Sequence, residues 1–353
     1  MKSEVYFARL SSDNPEARVS LLKKLLEFIG PFRSYKKDEL VPVKLTIGES
    51  NCVYHLSPEL VKIIVLKIID QGARPFLFDT SVIYQGQRQN AVDHLALAEK
   101  KGFGYAGVGA PFIVADGLLG LDGREFNIEA SHIKKVRIPS FIGMLDSLVV
   151  LSHITGHILS GYAGAIKNVA MGMSCRSTKL VQHASVKPSV VAKKCTACGC
   201  CIAVCPVRAI SYKEKRASIS NKICIGCGEC LCACKFDAIP VDWGESPEIF
   251  SKKMAEVAHF ILPKFKDKFF INFALDITKE CDCLSTKDDK MVSGNIGILA
   301  SSDIVSLDKA TADLANQNKK SDFFSEAKDR YEPMLEYAAR IGLGSLEYAL
   351  IEA

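Results

Sequence analysis

The chain has 353 residues, 48% hydrophobic and 24% charged, with a net charge of +5, which excludes a disordered protein and suits two or three domains with a sizeable core. The charge is spread along the chain with no basic block longer than pairs such as Lys100-Lys101 and Lys319-Lys320, so no nucleic-acid partner is expected. No apolar run approaches the ~18 residues of a membrane helix, and fourteen cysteines behind a polar start, Met1-Lys-Ser-Glu-Val-Tyr, point to a cytoplasmic, oxygen-sensitive protein without membrane contact.

Residues 5–10 read as a first strand, and Pro15 to Ile29 carries Val19, Leu22, Leu25, Leu26 and Ile29 at helical spacing before Gly30-Pro31 stops it. Strands over 41–47, 75–78 and 111–114 then alternate with helices over 58–69 and 89–100, the signature of a mostly parallel sheet with helices on its faces. After a less regular stretch, 146–152 reads as a buried strand. Beyond residue 243 come a helix over 253–262, strands over 269–275 and 296–300, and helices over 305–314 and 325–341. The expected class is α/β: a body made of 1–187 and 244–353, interrupted by an inserted α+β module at 188–243.

That insert holds the densest signal. Cys195-Thr-Ala-Cys198-Gly-Cys-Cys201-Ile-Ala-Val-Cys205 is followed by Cys224-Ile-Gly-Cys227-Gly-Glu-Cys230-Leu-Cys-Ala-Cys234, and both halves read C-x2-C-x2-C-x3-C. Three closely spaced thiolates wrap one face of a cubane cluster, and the fourth points to the other cluster. Cys195, Cys198, Cys201 and Cys234 are therefore assigned to one 4Fe-4S cluster, and Cys224, Cys227, Cys230 and Cys205 to a second. A zinc ribbon uses C-x2-C hooks but does not need the third and fourth cysteines at these offsets. The halves repeat, since Ala209-Ile210 recurs as Ala238-Ile239, and Pro206 is matched by Lys235. Cys200 and Cys232 have no ligand role in this scheme. The insert resembles the two-cluster bacterial ferredoxins, which implies electron transfer and a redox partner protein.

The second constellation is His153-Ile-Thr-Gly-His157-Ile-Leu-Ser-Gly161-Tyr-Ala-Gly164-Ala-Ile-Lys167-Asn168, with His183 further on. Histidines leaving a strand, a glycine turn and a lysine suit a site where backbone N–H groups and a cation receive a small anionic substrate while imidazoles move protons or bind metal. Glu49, Asp79, Asp116, His153, Asp276 and Asp303 each follow an expected strand; in an open parallel sheet such ends share a crevice, although turns favour these residues anyway. Outside the insert only Cys52, Cys175, Cys281 and Cys283 remain. All four are candidates to face that crevice, with Cys281 and Cys283 the first candidates to hold a metal or a third cluster near His183, and Cys52 and Cys175 better read as buried small hydrophobes.

With Met171-Gly-Met173, Arg176, Lys179 and Gln182-His183 ahead of the cysteines, and Cys281-Asp-Cys283 and Ile296-Gly-Ile-Leu-Ala-Ser beyond them, the chain resembles the uncharacterised iron-sulfur-centre proteins of the domain of unknown function 362 family. A more local resemblance is to the nickel-pincer lactate racemases, whose histidine, Gly-Tyr-Ser-Gly-Gly turn, cofactor-bearing lysine and metal-binding histidine are matched in order by His157, Gly161-Tyr-Ala-Gly164-Ala, Lys167 and His183. Ala163 and Ala165 depart from that pattern, and His94 is the candidate for the remaining histidine. The resemblance implies His157 as acid/base, Lys167 as cofactor or anion anchor and His183 as metal ligand. Three functions follow: an iron-sulfur oxidoreductase with His153, His157 and Lys167 at its site, a ferredoxin-type carrier with no substrate, and a metal-dependent hydroxy-acid isomerase.

Overall fold

The computed structural model describes residues 2–84, 86–184, 187–224, 228–240, 244–283, 289–317 and 323–353. In chain order the first elements are β1 (Ser3–Arg9), α1 (Pro15–Ile29), β2 (Leu40–Lys44), α2 (Pro58–Ile69), β3 (Arg74–Asp79), α3 (Ala91–Lys100), α4 (Tyr105–Val108) and β4 (Phe112–Val114). A hairpin of β5 (Arg124–Asn127) and β6 (Lys135–Ile138) precedes β7 (Ser147–His153), and a second of β8 (Thr155–His157) and β9 (Gly161–Ala163) follows it. Next come α5 (Ala165–Gly172) and α6 (Arg176–His183), then the cysteine-rich stretch with α7 (Cys200–Ala203), β10 (Ile210–Lys213), β11 (Arg216–Ile219) and α8 (Glu229–Ala233). The chain ends through α9 (Pro247–Ile261), β12 (Asp267–Ala274), β13 (Gly297–Ser301), α10 (Ile304–Gln317), α11 (Phe323–Glu326), α12 (Lys328–Arg340) and β14 (Tyr348–Glu352).

Eight strands form one sheet in the order β14-β1-β13-β12-β7-β2-β3-β4. Only β13 runs against its neighbours, and the other five pairings are parallel, so the expected mostly parallel α/β sheet is present. All seven residues of β7 are buried, as a central strand covered on both faces requires. Its side chains alternate between faces: Leu148 and Val150 join the core beneath α5, α9, α10 and α12, and Val149 and Leu151 join the core beneath α1, α2 and α3.

Local chemistry sets the helix boundaries. Pro15 starts α1 behind Asn14, whose side chain accepts the Ala17 N–H, and Gly30 ends it at φ 60° in the left-handed region. The helix expected from 253 begins at Pro247, where the Ser246 side chain accepts the Ile249 N–H. The cysteine-rich stretch packs on its own small core of Cys201, Ile210, Ala217, Cys230 and Ile239. It meets the body where Leu180 of α6 lies against Gly228, at φ +79°, whose would-be Cβ falls 2.1 Å from the Leu180 side chain, and where Arg137 pairs with Glu229 at 2.9 Å. Among the described residues no helix is long and apolar enough to cross a membrane.

The reversal of β13 corrects one expectation. Asp303, after β13, lies at the opposite edge from the residues after β3 and β7; there it caps α10 by accepting the Val305 and Ser306 N–H groups and receives bonds from Ser3 and Ser345.

Candidate functional site

The strands run outward to β4 in one direction from β2 and return at β7 on its other side, so the order reverses between β2 and β7, where ligand crevices form in open α/β sheets. A cavity of about 440 Å³ opens there, beyond the carboxyl ends of β2, β3 and β7. It brings together His153, His157, Lys167, His183, Cys281 and Cys283. Asp79 also lines it, whereas Glu49, Asp116 and Asp276 do not: Glu49 is bound to Arg88 at 3.1 Å, Asp276 to Arg18 at 2.6 Å, and Asp116 accepts the Ser81 N–H at 2.9 Å.

His153 spends both ring nitrogens, Nδ1 to Asp282 at 2.8 Å and Nε2 to the Leu275 carbonyl at 2.9 Å. Burial alone would lower its pKa, but Asp282 outweighs it and the net direction is up; with both nitrogens committed, the ring holds the 281–283 loop and is not open to substrate. The second carboxylate oxygen of Asp282 is buried with no hydrogen-bond partner among the described residues.

His157 is the complement. Its Nδ1 accepts the Ser160 N–H at 3.1 Å, which leaves the proton of the neutral ring on Nε2, and burial, with Lys167 nearby, holds the ring neutral by lowering its pKa well below the ordinary value. In His183 Nδ1 meets the Lys179 carbonyl at 2.8 Å, so that nitrogen carries the proton and the lone pair is on Nε2; burial brings its pKa down to about 4. Both rings pack on Phe250, at 5.6 and 4.9 Å between centroids.

Lys167, on the first turn of α5, lies with Nζ 3.4 Å from the Cys281 sulfur and 4.0 Å from that of Cys283. Burial lowers it to about 8. Cys281 and Cys283 are joined as a disulfide with Cα atoms 5.3 Å apart. Ligand atoms of His157, Cys281 and Cys283 lie within 4.8 Å of one another. The other two body cysteines stand apart: Cys52 donates to the Tyr54 carbonyl at 2.8 Å, and Cys175 is buried near the Asp122 carbonyl, burial pushing its thiol up. His94 is buried against Phe112 with neither ring nitrogen hydrogen-bonded among the described residues, held at about 3 by burial, and does not line the cavity.

One expectation is corrected by a distant residue. The N–H groups of Ala165 and Ile166 at the start of α5 do not wait for a ligand; each donates at 2.9 Å to the buried carboxylate of Asp308. The helix N-terminus is thus already neutralised, and the cations facing the cavity are side chains. Those include Lys44 and Lys179, neither placed at the crevice by the sequence reading. The Lys44 ammonium is fully buried, 3.1 Å from Asp79 and 2.6 Å from the Asn168 side-chain oxygen, and Gly172 is required where it crosses α5, since a Cβ there would sit 2.2 Å from Nζ. Lys179, lowered to about 8 by burial, donates to Thr80 at 2.7 Å. A lysine in the apolar run Val41-Pro-Val-Lys-Leu-Thr-Ile was the one signal available.

Two predictions arise from these buried charges. Asp79→Ala leaves Lys44 and Arg88 without their shared carboxylate and should cost about 3–5 kcal/mol in urea unfolding; a loss under 1 kcal/mol would mean that the pair is not electrostatically coupled. Asp116, raised to about 6 by burial, favours the folded state while protonated. That contribution is complete below about pH 4 and is lost as pH rises through 6, about 3 kcal/mol in all. Asp116→Asn should remove this slope from the stability–pH profile between pH 4 and 6.

In the cysteine-rich stretch, Cys195, Cys198, Cys201 and Cys234 line one small cavity, which Cys200 also borders, and Cys205, Cys224 and Cys230 line another. Cys227 and the side chain of Cys232 lie outside the described residues. Backbone N–H groups point at the sulfurs: Ala217 to Cys195 at 3.4 Å, Ala238 to Cys234 at 3.3 Å and Ala209 to Cys205 at 3.2 Å. Soft donors in sets, apolar walls and N–H···S contacts fit cubane clusters.

No curated protein matches this chain. Among solved structures it is similar to the lactate racemase apoprotein from Thermoanaerobacterium thermosaccharolyticum, at 13% identity and a TM-score of 0.44 over 86% of this chain. It is also similar to a protein from Thermotoga maritima, at 12% and 0.39 over 93%. The chain spans only 55% and 59% of those two structures, and likeness at this level has no bearing on chemistry. The sequence matches the domain of unknown function 362 over residues 41–313, most of its length, and the chain belongs to that family.

Proposed function

We propose that this protein is an iron-sulfur redox enzyme acting on a small anionic substrate in the cavity between β2 and β7. Cys195, Cys198, Cys201 and Cys234 would hold one 4Fe-4S cluster, and Cys205, Cys224, Cys227 and Cys230 the other; such clusters supply single low-potential electrons. The observation that carries the reading is α6: its Lys179 and His183 line the cavity, and its Leu180 touches Gly228, which with Cys230 borders the second cysteine cavity. One helix spans the two sites.

Within the cavity, Lys167 balances the negative charge of the substrate, and the Nε2–H of the neutral His157 ring is placed to donate a hydrogen bond to it. Cys281 and Cys283, once reduced, offer the soft pair that a metal prefers. A ring nitrogen of His157 lies within 4.8 Å of their sulfurs, but its proton is on Nε2; His183, with Nδ1–H committed to a carbonyl, has the tautomer of a metal ligand, so His183 is the proposed third donor. A second reading, metal-dependent isomerisation of a hydroxy acid, is favoured by Lys167, His157 and His183 meeting on one cavity and needs no external electron donor.

Cys281→Ser/Cys283→Ser should lose one non-cluster metal equivalent while keeping its cluster iron, and should take up fewer electrons in an anaerobic reductive titration. Unchanged metal content and electron uptake would overturn the cavity as a second reactive centre. Turnover of a hydroxy acid with no donor present would select the isomerase.

A further inference from the structure

Charge along the chain is less even than its pairs of lysines suggest. Residues 188–240 contain eight lysines and arginines against three acidic residues, an excess of five; the whole chain has 45 against 40, the same excess. Among lysine, arginine, aspartate and glutamate side chains the rest of the molecule is balanced, and the whole excess of cations sits on the cysteine-rich stretch. All eight cations are exposed, and among the described residues none is recorded in an ion pair. Glu229, by contrast, is buried and paired with Arg137 of the body.

The cations are placed unevenly about the two cysteine sets. Lys193 and Lys194 directly precede Cys195, Arg216 precedes the Ala217 whose N–H reaches the Cys195 sulfur, and Lys235 follows Cys234. The Tyr212 hydroxyl donates to the Ala197 carbonyl at 2.9 Å, which brings the hairpin end carrying Lys213 against the same loop. At the centre of this rim Cys198 is exposed, and Phe236, which lines that cavity, is 46% exposed. The other set is turned inward, through the contacts of Gly228 with Leu180 and of Glu229 with Arg137.

We infer that the face around Cys195, Cys198, Cys201 and Cys234 is the docking surface for an acidic one-electron carrier protein, and that electrons enter there and leave toward the cavity at the Cys224–Cys230 end. This rests on the proposed function above. Each transfer oxidises the carrier by one electron and reduces the group held by these cysteines by one, with no proton or bond exchanged. A cationic rim about an apolar centre gives an acidic partner long-range attraction and a short final distance.

The test uses the anaerobically purified full chain with an acidic flavodoxin hydroquinone as electron donor and a small uncharged photoreductant as control. Lys193→Glu/Lys194→Glu/Arg216→Glu should slow reduction by the flavodoxin about tenfold or more at low ionic strength, weaken calorimetric binding of oxidised flavodoxin in parallel, and leave photoreduction unchanged. The difference should fade as salt shortens the Debye length. Lys23→Glu/Lys24→Glu/Lys62→Glu, on exposed helix positions of the body, should change the rate less than twofold. Equal rates in the two variants, with iron and sulfide intact, would overturn the docking face and leave the redox reading standing. A protein without labile sulfide would overturn that reading, and this inference with it.

Discussion

Cys198→Ser protein should contain about four irons and four labile sulfides per chain, the parent about eight of each, and Cys200→Ser the full complement, if the proposed ligand scheme holds. The two positions differ by two residues and both border the same cavity, so composition cannot separate them; only the cubane ligand scheme does. The same scheme makes a stronger demand on pairs. Cys234 lies far along the chain from Cys198 but shares its cavity, whereas Cys205 lies near it and borders the other. Cys198→Ser/Cys234→Ser should therefore lose no more iron than either change alone, and Cys198→Ser/Cys205→Ser should lose nearly all of it, the non-additivity expected of residues that act as one unit. Pairing by sequence neighbourhood, as in a zinc ribbon, predicts the reverse. Iron and sulfide assays with low-temperature electron paramagnetic resonance on the reduced variants decide between them.

The second large effect belongs to Lys167. Its ammonium is buried beside Cys281 and Cys283, and burial has already lowered its pKa to about 8. The charge is held there against its desolvation cost, as at sites that must meet an anion. Lys167→Met keeps the volume and removes the charge, so turnover should fall by about 10²–10³. Thermal stability should hold or rise, because an apolar side chain replaces a desolvated cation. The two readouts separate a functional lysine from a structural one: a variant that unfolds early, or one that turns over at the parental rate, would remove Lys167 from the site. Phosphate and a small carboxylate should stabilise the parent and not the variant in a thermal shift assay, since binding to the folded state alone raises stability.

Much of this architecture is written locally. The strands and helices of the body carry their own periodicity and caps, as in Asn14 with Pro15 for α1, and the cysteine offsets separate Cys195, Cys198, Cys201 and Cys234 from Cys205, Cys224 and Cys230, as the two small cavities do. Where local rules ran out, a distant partner or a buried polar group is the cause. Helix α5 has no capping side chain beside it in sequence, and its N-terminus is capped by Asp308, 143 positions away from Ala165. Helix α6 reads Arg-Ser-Thr-Lys-Leu-Val-Gln-His, a surface composition, yet Arg176, Ser177, Thr178, Lys179 and Gln182 are buried because the helix separates the cavity from the cysteine-rich stretch. Strand direction is likewise invisible to periodicity, and the reversal of β13 sends Asp303 to the wrong edge. His153 and His157 look alike in sequence; burial lowers the pKa of both, and only the fold supplies the Asp282 that reverses the direction at His153.

The most direct test of the account is acid-labile sulfide, measured with total metals on anaerobically purified full-length protein. About eight sulfides and eight irons per chain, with a further metal equivalent that depends on Cys281 and Cys283, is the predicted result. Zinc without sulfide would contradict it.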